Sequence, residues 1–263
     1  MVSLAVAFAA CGHVPLTSSS RPVRVLSLNM HAGKDAAGKP NLDAIGSLVK
    51  STGADLVLLQ EVDRGTARSG NVDQVSTLGT SLNYSSAFAA SLLHYDGGQY
   101  GIAALARGYI GYSSTVPLPV SPAETRAGGS TEPRVALVGL ASLRTVQVAL
   151  INTHLDPADG QSRAQEIAHL RAVIADQLAS GTALVVGGDF NATPDNPALA
   201  PLQSVGLRDA WTECGSGDGF TYPSDKPAKR IDYLFLTGDL HCSAAAVIDT
   251  QISDHRPLLV TLK

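Results

Sequence analysis

The sequence predicts an α+β fold in which two β-sheets pack face to face and a few helices cover the outside. Three observations lead there. Apolar runs of strand length, rich in Val, Leu and Ile and bounded by Gly, Pro and Asp, recur along the chain. Helical patterns are fewer and fall between those runs, while strands that follow one another directly suggest hairpins and two packed sheets. No internal repeat, low-complexity block or linker divides the chain after Arg21, and 263 residues are enough for one large core.

The first twenty positions stand apart. "VSLAVAFAAC" is apolar, too short to span a bilayer, and ends at Cys11-Gly12. It reads as the apolar part of an export signal leading into a lipidated cysteine, with "TSSSRP" as a polar tether. A basic stretch ahead of it is missing, since the first positive side chain is Arg21, so a buried strand or a misassigned start is the other reading. The expected organisation is a signal-and-tether segment over residues 1–20 and one domain over 21–263. The protein would then be exported to the cell envelope, periplasm or exterior, with membrane association through Cys11.

The elements follow in order. "VRVLSLNM" opens the domain as a strand. From Asn41, the residues Leu42, Ile45, Leu48 and Val49 share one face at helical spacing. "ADLVLLQEV" is the next strand and "DQVSTLGTSL" a weaker helix. Three strands then succeed one another: "YGIAALA", "RVALVGLASL" and "VQVALINTHL". In "SRAQEIAHLRAVIADQLAS", Ile167, Leu170, Ile174 and Leu178 form a stripe, and Gly181 supplies the stop. "ALVVGGDF", "RIDYLFL" and "RPLLVTL" complete the set. Cys214 and Cys242 can form a disulfide in an exported protein or sit unpaired as small hydrophobes.

Six of these strands, apolar for most of their length, carry polar groups near one end. They are Asn29 and His31; Gln60, Glu61 and Asp63; Asn152, His154 and Asp156; Asp189 and Asn191; Asp232; and Asp254 with His255. Taken singly, each has an ordinary explanation as a turn residue, a helix cap or a hydrogen-bonded structural histidine. Together they point elsewhere, because ionisable groups beside buried strands cost several kcal/mol unless paired or bound to a cation. Asp232, between Ile231 and Tyr233, most needs a partner.

The chemistry these groups suggest is metal-assisted hydrolysis of a phosphate ester. Carboxylates with amides form a hard oxygen set that suits Mg²⁺ or Mn²⁺ and does not suit Zn²⁺. The sequence has no HExxH, no paired CxxC, no GxSxG nucleophile elbow and no Walker A loop.

"LNMH", "LLQEVD", "INTHLD", "GDFNA", "RIDY" and "SDHRPL" occur in the order of the endonuclease/exonuclease/phosphatase superfamily, and the chain resembles that group from about Val23 to Leu262. The superfamily includes pancreatic-type deoxyribonucleases, abasic-site endonucleases, inositol polyphosphate 5-phosphatases and neutral sphingomyelinases. The resemblance implies a four-layer α/β/β/α sandwich of two mixed sheets flanked by helices. It also implies residue roles. Glu61 would be the direct metal ligand, with Asn29 beside it and Asp254 near the metal. Asp189 would orient and deprotonate the attacking water, and Asn191 would contact the same phosphate. His255, kept charged by Asp232, would hold a phosphoryl oxygen, and His154 would contact the phosphate or assist the leaving group. "QEVDRGTARSGNVDQ" and "TEPRVAL" resemble a compact bacterial branch that includes relatives of glycolipid-anchor remodelling proteins. That makes Arg64, Arg68 and Arg134 candidate substrate contacts, against the alternative of solvated surface arginines. "YGIAALARGYI" departs from the family pattern at Ala106 and at Gly108-Tyr109.

The implied enzyme is a Mg²⁺- or Mn²⁺-dependent phosphoesterase acting as a monomer. Six Lys and thirteen Arg are spread along the chain and outnumbered by 23 acids, for a net charge of −4. A duplex-DNA enzyme normally draws affinity from a basic face, so a small or lipid-linked phosphoester is expected in preference to nucleic acid. The alternatives are a secreted DNase-like endonuclease and a non-catalytic binding member of the fold.

Overall fold

Strand β1 (Arg24–Asn29) lies in the interior of a sheet and is almost wholly buried, as its run of apolar residues requires. The computed structural model describes residues 21–120, 132–144, 146–238 and 240–263, so the expected signal, the tether and Cys11 lie outside the described residues. The remaining strands are β2 (Leu56–Arg64), β3 (Ser85–Tyr95), β4 (Gly98–Ala106), β5 (Tyr109–Pro117), β6 (Val135–Leu143), β7 (Val146–His154), β8 (Leu184–Asp189), β9 (Arg208–Asp209), β10 (Asp232–Leu236), β11 (Cys242–Val247) and β12 (Leu258–Leu262). They form two six-stranded mixed sheets, ordered β11-β12-β1-β2-β4-β3 and β5-β6-β7-β8-β10-β9.

Each sheet contains one parallel pair built by a crossover helix. Helix α1 (Leu42–Thr52) joins β1 to β2, and α3 (Gly160–Leu178) joins β7 to β8. Helix α2 (Gln74–Leu82) packs beside α1, while α4 (Ala200–Gln203) and α5 (Ala210–Cys214) are short. All three helices expected from the sequence are present. All eight expected strands are present as well, and they are the eight interior strands. The four that the apolar pattern missed, β3, β5, β9 and β11, are the four sheet edges. Edge strands bury less surface, so "YIGYSSTVP" and "CSAAAV" carry small and polar residues without a core signature.

Alternation along the strands sorts the core into three layers. Val25, Leu56, Leu58, Leu150, Val185 and Leu234 pack between the sheets. Leu26, Leu28, Val57 and Leu59 face outward onto Ile45, Val49 and Leu78 of α1 and α2. Val186, Tyr233 and Phe235 face outward onto Ile167, Leu170 and Ile174 of α3. Helix, sheet, sheet, helix is thus the observed layering, and truncating an inter-sheet leucine such as Leu58 costs about 2–5 kcal/mol.

The two glycines of "VVGGDF" mark where β8 is most crowded. A Cβ at Gly187 would lie 2.6 Å from Leu234 and 2.7 Å from Leu58, in the inter-sheet layer. Gly188 has φ +140°, and a Cβ there would lie 1.9 Å from the Thr153 carbonyl oxygen of β7. Cys214 and Cys242 form a disulfide, which settles the pairing left open by the sequence. It ties α5, which follows the edge of one sheet, to β11, the edge of the other.

Candidate active site

Period-two alternation delivers most of the site. On β1, β7, β8 and β10 the residues facing the inter-sheet core include Val25, Leu150, Val185 and Leu234. Continuing each strand in steps of two brings Asn29, His154, Asp189 and Asp232 onto the same layer at one end of the sandwich. His154 and Asp232 are both register partners of Asp189, on opposite sides of it. The polar cluster is therefore the open end of the inter-sheet core, at the carboxyl ends of both parallel pairs.

Glu61 reaches the site by another route. Simple alternation from Val57 and Leu59 would put it on the helix-covered face. Instead Leu59 pairs with Ala103 and Val62 with Gly101, so Gln60 and Glu61 together oppose Ile102 alone. Glu61 occupies this β-bulge at φ +55°, a strained conformation for a non-glycine residue, and its carboxylate turns into the cleft. Asn152, across the sandwich on β7, donates to the carbonyls of Leu59 (2.8 Å) and Ala103 (2.9 Å) and accepts from the Gln60 amide (2.7 Å). Gln60 and Asn152, polar strand-end residues in the sequence, thus pin the bulge from inside and do not line the cleft.

The site residues interlock. Asn29 Nδ2 donates to Glu61 Oε1 (3.0 Å) and to Asp189 Oδ2 (3.1 Å). The Asn191 backbone N–H donates to Asp189 Oδ1 (2.9 Å), and the Asn191 side-chain amide donates to the Leu155 carbonyl (2.9 Å). His154 Nε2 and His255 Nε2 each lie 3.6 Å from Asp189 Oδ2. His255 Nδ1 bonds Asp232 Oδ2 at 2.9 Å, which gives Asp232 the partner its buried position demands. Ser253 Oγ donates to the Asn29 carbonyl (2.7 Å) and anchors the turn that carries Asp254 and His255.

Protonation follows from these neighbours. Burial disfavours the His255 imidazolium, but the Asp232 and Asp189 carboxylates outweigh that and raise its pKa to about 10. His154 is driven well below its ordinary value by burial, the Arg134 cation and His255. Asp189 is raised to about 7, first by burial and then by the Asp232 carboxylate. One histidine is charged and the other neutral, at equal distance from a carboxyl group that titrates near neutrality.

A family model described as endonuclease/exonuclease/phosphatase family matches residues 26–255, nearly the whole described domain. The chain belongs to the endonuclease/exonuclease/phosphatase family. Members of this family are phosphoester hydrolases, and the chain is an enzyme of that kind. Solved structures agree on the fold. An endonuclease/exonuclease/phosphatase from Beutenbergia cavernae superposes with a TM-score of 0.76 at 20% identity, over 93% of this chain and 72% of that one. The Bacteroides thetaiotaomicron mannosyl-6-phosphatase gives 0.75 at 18% identity, over 92% and 99%. The human Nocturnin catalytic domain gives 0.68 at 20% identity, over 93% and 95%. No curated protein matches the chain significantly in sequence.

In this family member the cluster opens into a cleft of about 700 Å³ lined by Glu61, Asp189, Asn191, Asp254, His154 and His255. Arg68 and Arg134, two of the three arginines expected to contact substrate, also line it. Arg64, the third, is not among the lining residues: it pairs with Asp73 at 3.1 Å and lies over the Phe88 ring. At the end of β2, backbone hydrogen bonds turn the chain into the loop that leads to α2, and Arg64 is carried away from the cleft. Tyr100, Tyr222, Arg163 and Lys229 line the cleft without having been singled out in the sequence, and no local motif marks them. His31, noted at the end of β1, lines it too, with Nδ1 3.9 Å from Asp254.

The donor set fits a hard divalent cation at Glu61. Its carboxylate faces the cleft, accepts a hydrogen bond from Asn29 and has no cationic partner among the described residues. Asp189, Asp232 and His255 also lie close enough to share an ion. However, Asp232 is fully buried and one of its oxygens is bonded to His255 Nδ1, so it stands behind the histidine and not on the cleft surface. Asn29 offers its amide N–H to Glu61 and Asp189 while its Oδ1 accepts from the His31 backbone (3.1 Å). It therefore orients both carboxylates from between them.

Proposed function

We propose that the protein is a divalent-cation-dependent phosphoesterase that attacks a small or lipid-linked phosphate ester with water. The observation that carries this reading is the pair of histidines, each 3.6 Å from Asp189 Oδ2 and one of them held by Asp232, at the foot of a polar cleft that Glu61 also lines. Glu61, with Asn29 and Asp254 beside it, would hold Mg²⁺ or Mn²⁺. When bound, the cation would neutralise charge on the phosphoryl group.

The chain's own residues account for the rest. Asp189, whose pKa is raised by burial and by the Asp232 carboxylate, accepts a proton from the attacking water, and the Asn191 backbone N–H fixes its carboxylate. His255 is held by Asp232 through Nδ1, so its Nε2–H faces the cleft and donates to a non-bridging phosphoryl oxygen. His154, its pKa lowered by burial, stands beside Asp189 on the β7 side, where it would contact the phosphate or assist the leaving group. The site chemistry argues for a working enzyme and against a binding-only member, because every role has its residue.

Small or lipid-linked substrates are favoured over duplex DNA because the cleft has few unmatched cations. Arg68 is paired with Asp63 and Arg134 with Glu132. The disulfide agrees with export to an oxidising compartment. In a test with Mg²⁺ or Mn²⁺ against phosphomonoesters, a chromogenic phosphodiester, phospholipids and supercoiled plasmid, EDTA is expected to abolish turnover and either cation to restore it. Rapid plasmid nicking at physiological salt with negligible turnover of the small esters would overturn the substrate assignment.

A further inference from the structure

The cleft has one wall that is rich in fixed hydrogen-bond donors yet carries no net positive charge. Asp63, fully buried at the end of β2, accepts from Arg68 Nε and Nη2, both at 2.8 Å, and from Thr66 Oγ1 at 2.8 Å. Arg68 Nη1 donates to the Tyr95 hydroxyl (3.3 Å), and the guanidinium lies 4.9 Å from the Tyr95 ring and 5.2 Å from Tyr100. Of its five N–H groups three are therefore engaged, leaving one on each terminal nitrogen. The side chain is 28% exposed and lines the cleft, so a ligand can reach it. Farther in, Arg134 is likewise matched by the buried Glu132 at 3.1 Å. Elsewhere on the cleft, Lys229 is exposed and makes no ion pair among the described residues.

A guanidinium neutralised by its own buried carboxylate offers little attraction to a second phosphate. It remains a rigid, planar pair of donors whose ordering is already complete before binding. Neutral hydroxyl oxygens are the acceptors that match such a group, and the buried Tyr100 ring, which also borders the cleft, backs the guanidinium and fixes its plane. We propose that Asp63, Arg68 and Tyr100 form a hydroxyl-recognising subsite, and that the group esterified to the phosphate is a neutral polyhydroxylated one, a sugar or polyol. This rests on the phosphoesterase reading above and specifies its substrate class.

The test is equilibrium titration of the Asp189→Asn protein with Mg²⁺, whose turnover should be slow enough for binding to be read first, using glucose 6-phosphate, hexyl phosphate and glucose 1,6-bisphosphate. Glucose 6-phosphate should bind about tenfold or more tightly than hexyl phosphate, since a site built to bond hydroxyls rejects analogues lacking them. Adding Arg68→Lys, which keeps the charge and loses the fork, should erase that difference. Adding Asp63→Asn should leave Arg68 cationic and shift preference toward the bisphosphate, a change that a merely structural Asp63 would not produce. If Asp63→Asn does not fold, Tyr95→Phe, which removes one acceptor from Arg68, should reduce the glucose 6-phosphate preference in part. Hexyl phosphate binding as tightly as glucose 6-phosphate, or Arg68→Lys weakening both alike, would overturn the subsite. Sugar preference in binding, with no hydrolysis of any phosphoester by the unsubstituted protein, would instead overturn the catalytic reading and leave the subsite standing.

Discussion

At the scale of single residues, the site turns on Asp189 and the two histidines beside it. Asp189→Asn removes the group that accepts the water's proton while keeping its shape. Turnover should fall by roughly 10²–10⁴-fold with the melting temperature little changed, and steady-state kinetics beside a thermal melt would read both. His255 supplies a pH signature. Its folded pKa, near 10, exceeds the unfolded value of about 6.5. The stability it contributes is fully present below about pH 6.5 and is lost as pH rises through about 10. The gap in melting temperature between the unsubstituted protein and Asp232→Asn should therefore narrow from pH 6 to pH 10 in EDTA. A gap that stays constant would mean that the Asp232–His255 pair does not shift the histidine. These residues were legible in the sequence because a carboxylate inside an apolar run is anomalous on its own. Arg68 and Arg134 were legible as cleft residues, but their neutralising partners were not. Asp63 is five residues from Arg68 and fully buried, and nothing in the local sequence says that its carboxylate closes on that guanidinium.

At the scale of elements, the β2 bulge decides whether the site exists. It turns Glu61 from the helix-covered face into the cleft, and Asn152 holds it by occupying the carbonyls of Leu59 and Ala103. Asn152→Ala leaves those two buried acceptors unmatched. It is expected to cost about 1–3 kcal/mol in denaturant unfolding and to lower activity, although residue 152 does not line the cleft. Unchanged activity in a folded Asn152→Ala protein would show that the bulge holds without it. Strand β8 offers a second check. Gly188→Ala should destabilise more than Gly187→Ala, because its Cβ would meet the Thr153 backbone whereas that at Gly187 would meet mainly movable leucine side chains. The apolar pattern found every interior strand and no edge strand. A strand buried on both faces must be apolar, while an edge strand is free to be polar, and only pairing with a neighbour makes "YIGYSSTVP" a strand.

At the scale of the whole molecule, the sandwich closes through contacts between its two sheets, and the Cys214–Cys242 bond joins them at one edge. The bridged residues are 28 apart in sequence, for which the chain-entropy estimate is about 3–4 kcal/mol. Reductant, or a Cys214→Ser/Cys242→Ser double substitution, should lower the melting temperature by several degrees, and calorimetry would measure it. An identical melt with and without reductant would mean that the bond adds nothing to stability. The active cleft lies at the ends of β1, β2, β7 and β8, so the same substitution should leave hydrolysis at low temperature intact.

The sequence by itself determined the interior strands, the three main helices, the family and the types of residue that meet in the cleft. Those features are written in short-range periodicity and in the anomaly of charges beside buried strands. Only the tertiary structure decided which way Glu61 points, that Arg64 lies outside the cleft, which acid neutralises each arginine, and that the two cysteines pair. Each of these depends on a register shift or on a contact between residues whose proximity is fixed by the packing of one sheet or loop against another. Local sequence pattern carries the period of a strand, but it does not carry the partner across the sandwich.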